Sequence, residues 1–419
     1  MTADGRRTTR WAEHGRTGRG VRRTGRTAAA LAAAGLLLLP VAPARADGIR
    51  VQEWALDSIH AREAWQTTRG EGITVAVLDT GVDDQHPDLR GRVLPGEDLI
   101  GFGAERGDRA WARHGTAMAG IIAGHGHGPD GGDGILGVAP KARILPVRVI
   151  LEDTDPSREK AGAARGGALA KGIRWAVDHG ADVINLSLGD DSKSAHPEAA
   201  EDAAVQYALR KGVVVVASAG NSGRKGDRVS YPAAYPGVIA VTAVDRYVNR
   251  AAFSTRRWYA TVCAPGVDVV IAAPDQRYYM GWGTSAAAAF VSGSVALVRS
   301  AHPELSPRQI KRLLADTARQ RPADGHSDEL GAGLVDPAAA IRAGNRLKPQ
   351  PQQPRAADYP RRYFGPGPAR GALAHDSGGG PNRLALTAAV AGLGLLAAAT
   401  AIWRGAGSLR LLRRRADRP

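Results

Sequence analysis

Residues 73–81 read ITVAVLDTG: an apolar, β-rich run, then a carboxylate, then glycine. The run is nearly continuous rather than alternating. That is the pattern of a strand whose two faces are both covered by helices in a parallel sheet. Similar runs recur at Ile144–Ile150, Val183–Leu188, Val213–Ala217 and Val238–Ala243. Helical patterns lie between them. In 166–179, Leu169, Ile173 and Ala176/Val177 share one face, and Gly180 is a plausible stop. Residues 199–211 end at Gly212, and 284–300 form a long stretch of small residues. The alternation predicts an α/β fold, a three-layer sandwich around a mostly parallel central sheet. Such folds place their sites beyond the carboxyl ends of the strands.

Outward from this core the composition changes. Residues 1–46 carry nine arginines against Asp4 and Glu13, and 404–419 carry six against Asp417. These ends hold +7 and +5 of the formal +15, so the middle is near +3 and a dedicated nucleic-acid binder is not expected. The arginine-rich start, the uncharged run 28–42 and Ala44-Arg45-Ala46 read as a signal peptide over 1–46. Arg22-Arg23 leaves open a twin-arginine export route. Residues 384–403 contain no charge, and twenty helical residues rise about 30 Å, one hydrocarbon thickness. The arginines after them point to the cytoplasmic side. The expected order is therefore an extracytoplasmic domain over 47–345 with an N-terminal extension, a Pro/Gly-rich linker over 346–383, a transmembrane helix over 384–403 and a basic cytoplasmic tail over 404–419. One cysteine, Cys263, excludes an internal disulfide framework.

Four polar residues stand at element boundaries. Asp79 ends the first run, His114 opens HGTAMAGIIAG, Asn221 closes VVVVASAGN and Ser285 sits in GTSAAAAFVSG. Each has an ordinary structural reading as a cap or turn residue. A serine at a helix N-terminus also faces unpaired N–H groups, which stabilise negative charge when it attacks a carbonyl. His125 and His127 in GHGHG lack a third clustered ligand and read as a loop, so no metal site is assigned. A Rossmann-type nucleotide binder needs G-x-G-x-x-G after the first strand, and LDTGVDD lacks it.

Jointly these boundary residues mean more. Asp79, His114 and Ser285 follow in the chain order of a subtilisin triad. The segments VLDTGVDDQHPDL, HGTAMAGIIAG, GVAPKARILPVRVI, GADVINLSLG, VVVVASAGNSG, YPAAYPGVIAVTAVD and GTSAAAAFVSG resemble the subtilisin family over nearly all of 73–300. The resemblance implies Asp79, His114 and Ser285 as catalytic residues and Asn221 as the oxyanion-hole amide. It also implies Ser187, Leu188 and Gly189 lining the cleft, Ser218 and Gly220 walling the primary specificity pocket, and a cis Tyr231–Pro232 bond. Asp88 in HPDL matches a position some subtilisins use for calcium, but no partner loop accompanies it, and no cofactor is assigned. Two departures stand out: Ala286 and Ala289 replace the larger residue and the proline usual after GTS.

More narrowly, the chain resembles a mycosin, the membrane-anchored protease of type VII secretion systems. QEWALDSIHAREAW and GAGLVDPAAAI carry this likeness together with the layout of the ends, although the extra cysteine pairs of many mycosins are missing. The implied function is a single-pass cell-membrane serine endopeptidase, its catalytic domain extracytoplasmic. Its partners would be polypeptide substrates, membrane lipid through the C-terminal helix, and subunits of a type VII secretion complex. The competing reading is a catalytically weak subtilisin fold with a structural role in such a complex. The short segment Asp47–Gly72, with Val51, Trp54, Leu56, Ile59 and Trp65, is expected to stay attached and pack on the catalytic domain rather than serve as a removable prodomain.

Overall fold

The computed structural model describes residues 48–350. The strands described are β1 (Thr74–Asp79), β2 (Glu97–Asp98), β3 (His125–His127), β4 (Asp133–Leu136), β5 (Arg143–Arg148), β6 (Val183–Leu186), β7 (Val214–Ser218), β8 (Ile239–Val244), β9 (Ala260–Pro265), β10 (Val269–Ala272) and β11 (Tyr278–Gly281). The helices are α1 (Trp54–Ser58), α2 (Ala61–Ala64), α3 (Arg113–Ala123), α4 (Arg158–Asp178), α5 (Ala199–Arg210), α6 (Thr284–Ala301), α7 (Pro307–Thr317) and α8 (Pro337–Gly344).

Seven strands form one sheet in the order β2-β5-β1-β6-β7-β8-β9, and every pairing in it is parallel. The pleat explains why β1 reads as a continuous apolar run. Val75 and Val77 enter one core with Met118, Ile122, Phe290 and Val291, from α3 and α6. Ala76 and Leu78 enter the other with Leu169, Ile173, Val205 and Leu209, from α4 and α5. With both faces buried, no position between Thr74 at the strand's start and Asp79 at its end is polar.

All five apolar runs are strands, within two residues of their expected ends. Gly180 and Gly212 take φ of 80° and 85° just after α4 and α5, the left-handed stop that a glycine accepts at no steric cost. Three features differ from the sequence expectation. α4 begins at Arg158, well before 166, because its first turns carry no apolar stripe to reveal them. Strand β9 completes the sheet although Ala260–Pro265 is rich in alanine, a poor strand former, and ends in proline. His125–His127 is not a loop but a strand paired antiparallel with β4.

The segment before β1 lies on the core of α3 and α6. Ala55, Leu56, Ile59, Ala61 and Ala64 are buried there. The indole N–H groups of Trp54 and Trp65 donate to the carbonyls of Asp268 and Val138 at 2.9 and 2.8 Å. The Arg50 guanidinium donates to three carbonyls of the β3–β4 hairpin: Gly134, Gly131 and Asp133, at 2.5, 2.6 and 3.2 Å. Val51 is the exception, at 78% exposed. The Tyr231–Pro232 bond is cis.

Among the described residues no helix is long and apolar enough to cross a membrane. The stretches read as signal peptide, transmembrane helix and basic tail lie outside the described residues, as does all but the first few residues of the linker.

Candidate active site

Asp79 leaves the sheet fully buried at the carboxyl end of β1. Its Oδ1 accepts the Thr80 N–H at 2.7 Å, which fixes the carboxylate's rotation. His114, in the first turn of α3, brings Nδ1 to 2.8 Å from Oδ1 and 2.9 Å from Oδ2. The helix can come this close because residue 115 is glycine. A Cβ there would stand 2.0 Å from the Gly81 carbonyl oxygen. Two threonines lock the approach: Thr80 Oγ1 accepts the Gly115 N–H, and Thr116 Oγ1 accepts the Asp83 N–H.

Electrostatically the imidazole is pulled two ways. Burial disfavours its charged form, but the Asp79 charge and hydrogen bond outweigh that, and Glu152 and Asp153 add to them, so its pKa is pushed up to about 9. The imidazole side chain is still 35% exposed, while the Asp79 carboxylate is fully buried.

Ser285 sits in the first turn of α6, just after Gly283, whose φ is 144°. Its Oγ donates to the Ser187 carbonyl at 3.0 Å rather than to His114, and the Ser187 Oγ donates to the Ser285 carbonyl at 2.9 Å. This reciprocal clamp ties α6 to the end of β6. A buried polar chain extends it: Asn185 Nδ2 donates to Ser187 Oγ, and Ser292 Oγ donates to Asn185 Oδ1. Asn221, exposed beyond β7, accepts from the Thr284 N–H and hydroxyl through Oδ1, and its own N–H donates to Asp191 Oδ2. Its amide NH₂ is left on the Ser285 side. A Cβ on Gly283 would stand 3.7 Å from Ser285 N and 4.0 Å from Asn221 Nδ2, so both nitrogens border one small space. Two N–H donors bordering one space are suited to an oxyanion.

The residues expected to line the cleft lie near one another. Gly189 and Gly220 both approach Ser230: a Cβ on Gly189 would be 2.6 Å from Ser230 Oγ, and one on Gly220 3.1 Å from Ser230 Cβ. Ser218 is buried, with Oγ 3.4 Å from the Leu188 carbonyl. Ser230 is fully buried and its hydroxyl has no hydrogen-bond partner. The sequence reading missed Ser230, Asn185, Ser292, Asp191 and Glu152. Only Ser230 had a signal, its place immediately before the YP pair. Ala286 and Ala289 are both buried, and α6 runs unbroken past them.

Asp88 is spent on protein donors: His127 Nδ1 at 2.6 Å, the Ile135 N–H at 2.9 Å and the Tyr278 hydroxyl at 2.7 Å. His125 Nε2 lies 3.1 Å from the Arg90 carbonyl. Among the described residues no group of three His, Cys, Asp or Glu could hold a metal ion. Cys263 is buried in β9, and burial pushes its thiol pKa up, so it is inert as a nucleophile at neutral pH.

A parallel α/β sandwich with a carboxylate–imidazole pair at the carboxyl end of β1 and a serine in the first turn of α6 is the framework of a subtilisin-like serine protease. The model of the Subtilase family matches residues 70–333, and the chain belongs to that family. Subtilisin DY of Bacillus licheniformis is 38% identical over 279 residues, which cover 66% of this chain and 93% of that protein. Fervidolysin of Fervidobacterium pennivorans is 38% identical over 321 residues, which cover 69% of this chain but only 43% of fervidolysin. Among solved structures, MycP3 protease from the type VII (ESX-3) secretion system superposes with a TM-score of 0.57 at 35% identity, covering 69% of this chain and 87% of that one.

Proposed function

We propose that this protein is a serine endopeptidase of the mycosin kind, anchored in the cell membrane with its catalytic domain outside. Ser285 Oγ attacks the peptide carbonyl, His114 takes its proton and returns it to the leaving amine, and Asp79 holds the imidazole tautomer and stabilises its cation. The Ser285 N–H and the Asn221 amide bind the oxyanion. The observation that carries this reading is the two-oxygen contact of Asp79 with His114, 2.8 and 2.9 Å, at the carboxyl end of β1. Ser187–Gly189 receives the substrate backbone as an added strand, and Ser218 and Gly220 wall the pocket for the residue before the scissile bond. The likeness to MycP3, the uncharged stretch 384–403 and the arginines after it support membrane anchoring and work beside a type VII secretion complex.

One observation favours a second reading, a catalytically weak component of such a complex: the Ser285 hydroxyl is hydrogen-bonded to Ser187 and not to His114. Covalent labelling of Ser285 by a fluorophosphonate probe separates the two. Labelling abolished by Ser285→Ala supports the peptidase; an unlabelled wild-type protein supports the structural role. Recovery of secretion-channel subunits with the detergent-extracted protein tests the complex, and their absence argues against it.

A further inference from the structure

Helix α3 begins without a cap of its own. Ala112, the residue before it, has φ 50° and ψ 22° and offers no side-chain acceptor, so the first N–H groups need partners from elsewhere. Glu152 supplies one: its Oε1 accepts the His114 backbone N–H at 2.7 Å, across a separation of 38 residues. The sheet delivers it there. Asp79 stands beside Arg148 in the β1–β5 register, and the next two N–H groups, of Val149 and Ile150, both point to the Asp79 carbonyl at 2.9 and 3.3 Å. Leu151 is buried on one side of Glu152. On the other, buried Asp155 accepts the Ala104 and Ser157 N–H groups, each at 2.7 Å. Glu152 is thus held between two anchors.

We propose that Glu152 is a positioning residue for this site: its carboxylate fixes the His114 backbone at the start of α3 and sets a second negative charge, after that of Asp79, beside the imidazole. The proposal rests on the reading of His114 as general base. The surrounding charges agree with it. Asp79 faces the imidazole from β1, and Glu152 and Asp153 from the stretch after β5. Asp153 is 93% exposed and paired with Arg158, so its field is the weaker. The cations nearby are committed elsewhere: Arg113 lies over the Tyr279 ring, Arg148 pairs with Asp98, and Arg106 pairs with Asp83 and Asp84. A carboxylate at a helix N-terminus is also stabilised by the helix dipole, so one group serves the helix and the imidazole together.

The test uses the full chain in detergent, with ¹⁵N-labelled histidine. Glu152→Gln keeps an oxygen acceptor and removes the charge. The His114 titration midpoint and the acidic limb of kcat/KM should both fall, by about 0.3–0.7 pH unit, and the difference should narrow at high salt. Glu152→Ala also removes the acceptor and should cost about tenfold more in kcat than in KM, as a displaced base does. A Glu152→Gln protein whose His114 midpoint equals that of wild type overturns the proposal, and this holds even where Glu152→Ala fails to fold. A wild-type protein without hydrolysis would sink the general-base reading instead, while the imidazole midpoints still decide the role of Glu152.

Discussion

The acid–base half of the site, on β1 and α3, is closed by side chains: Asp79 meets His114 through both carboxylate oxygens, and two threonine hydroxyls and one carboxylate hold the backbone around them. The serine half, on α6 and the end of β6, is closed by main chain: Ser187 and Ser285 each donate a hydroxyl to the other's carbonyl. The first half is finished when the chain folds. In the second, the Ser285 hydroxyl is held by the Ser187 carbonyl, a bond that the proposed attack requires it to leave. Catalytic contacts of this kind are often long or misaligned until substrate binds. On the proposed reading, a peptide pairing along Ser187 would compete for that carbonyl and free the hydroxyl.

The most drastic way to break this comparison is Ser285→Ala. It should lower hydrolysis by several powers of ten while the Asp79–His114 half, and the melting transition, stay in place. Activity above about a tenth of wild type would remove Ser285 as nucleophile. Asn221→Ala, which takes one of the two converging donors, should lower kcat by about 10²–10³ with little change in KM. A loss confined to KM would mean that Asn221 only holds substrate.

Gly115→Ala attacks the other half. With its Cβ aimed 2.0 Å from the Gly81 oxygen, α3 must retreat from β1. The expected cost is about 1–3 kcal/mol in stability and at least about tenfold in kcat, read by denaturant melts and steady-state kinetics. A fully active, fully stable variant would show that the close approach is not needed.

The two halves should also part company with pH. The folded pKa of His114 is raised, so the stability its charged form contributes is complete below the ordinary value of 6.5 and is lost as pH rises through about 9. The proposed general-base role needs the neutral imidazole, so activity should run the opposite way. From pH 6.5 to 9 the melting temperature should fall while kcat/KM rises, and in Ser285→Ala the melting trend should persist. A melting temperature that climbs over this range contradicts the raised pKa. The smallest effect belongs to Ser187→Ala. It deletes one arm of the clamp and should cost about 0.5–1.5 kcal/mol with a few-fold change in kcat. A loss as large as that of Asn221→Ala would mean that the clamp orders the nucleophile far more than its single hydrogen bond suggests.

Much of this was legible in the chain. β1, β5, β6, β7 and β8 announce themselves because a doubly covered strand needs apolar residues at consecutive positions, and the element that follows needs glycine or a polar cap. Asp79, His114, Asn221 and Ser285 were visible for the same reason: each stands at a boundary of an apolar run, Asp79 and Asn221 after one, His114 and Ser285 before one. The start of α4 was not, because its first turns are too poor in apolar residues to show a period. Glu152 was not, because an acidic residue in EDTD looks like a solvated loop until β5 is laid beside β1.

What the sequence determined by itself is the α/β alternation, the order of the polar boundary residues and the glycines that let elements approach, all of them consequences of local burial and backbone freedom. The tertiary structure alone decided which distant polar groups share an environment. Glu152 caps α3 from 38 residues away, Arg50 reaches the carbonyls of Gly131, Asp133 and Gly134 from before the first strand, and the Ser230 hydroxyl lies close to both Gly189 and Gly220. A hydrogen bond is fixed by distance and angle in space, and sequence spacing carries neither once strand order and register have brought remote segments together.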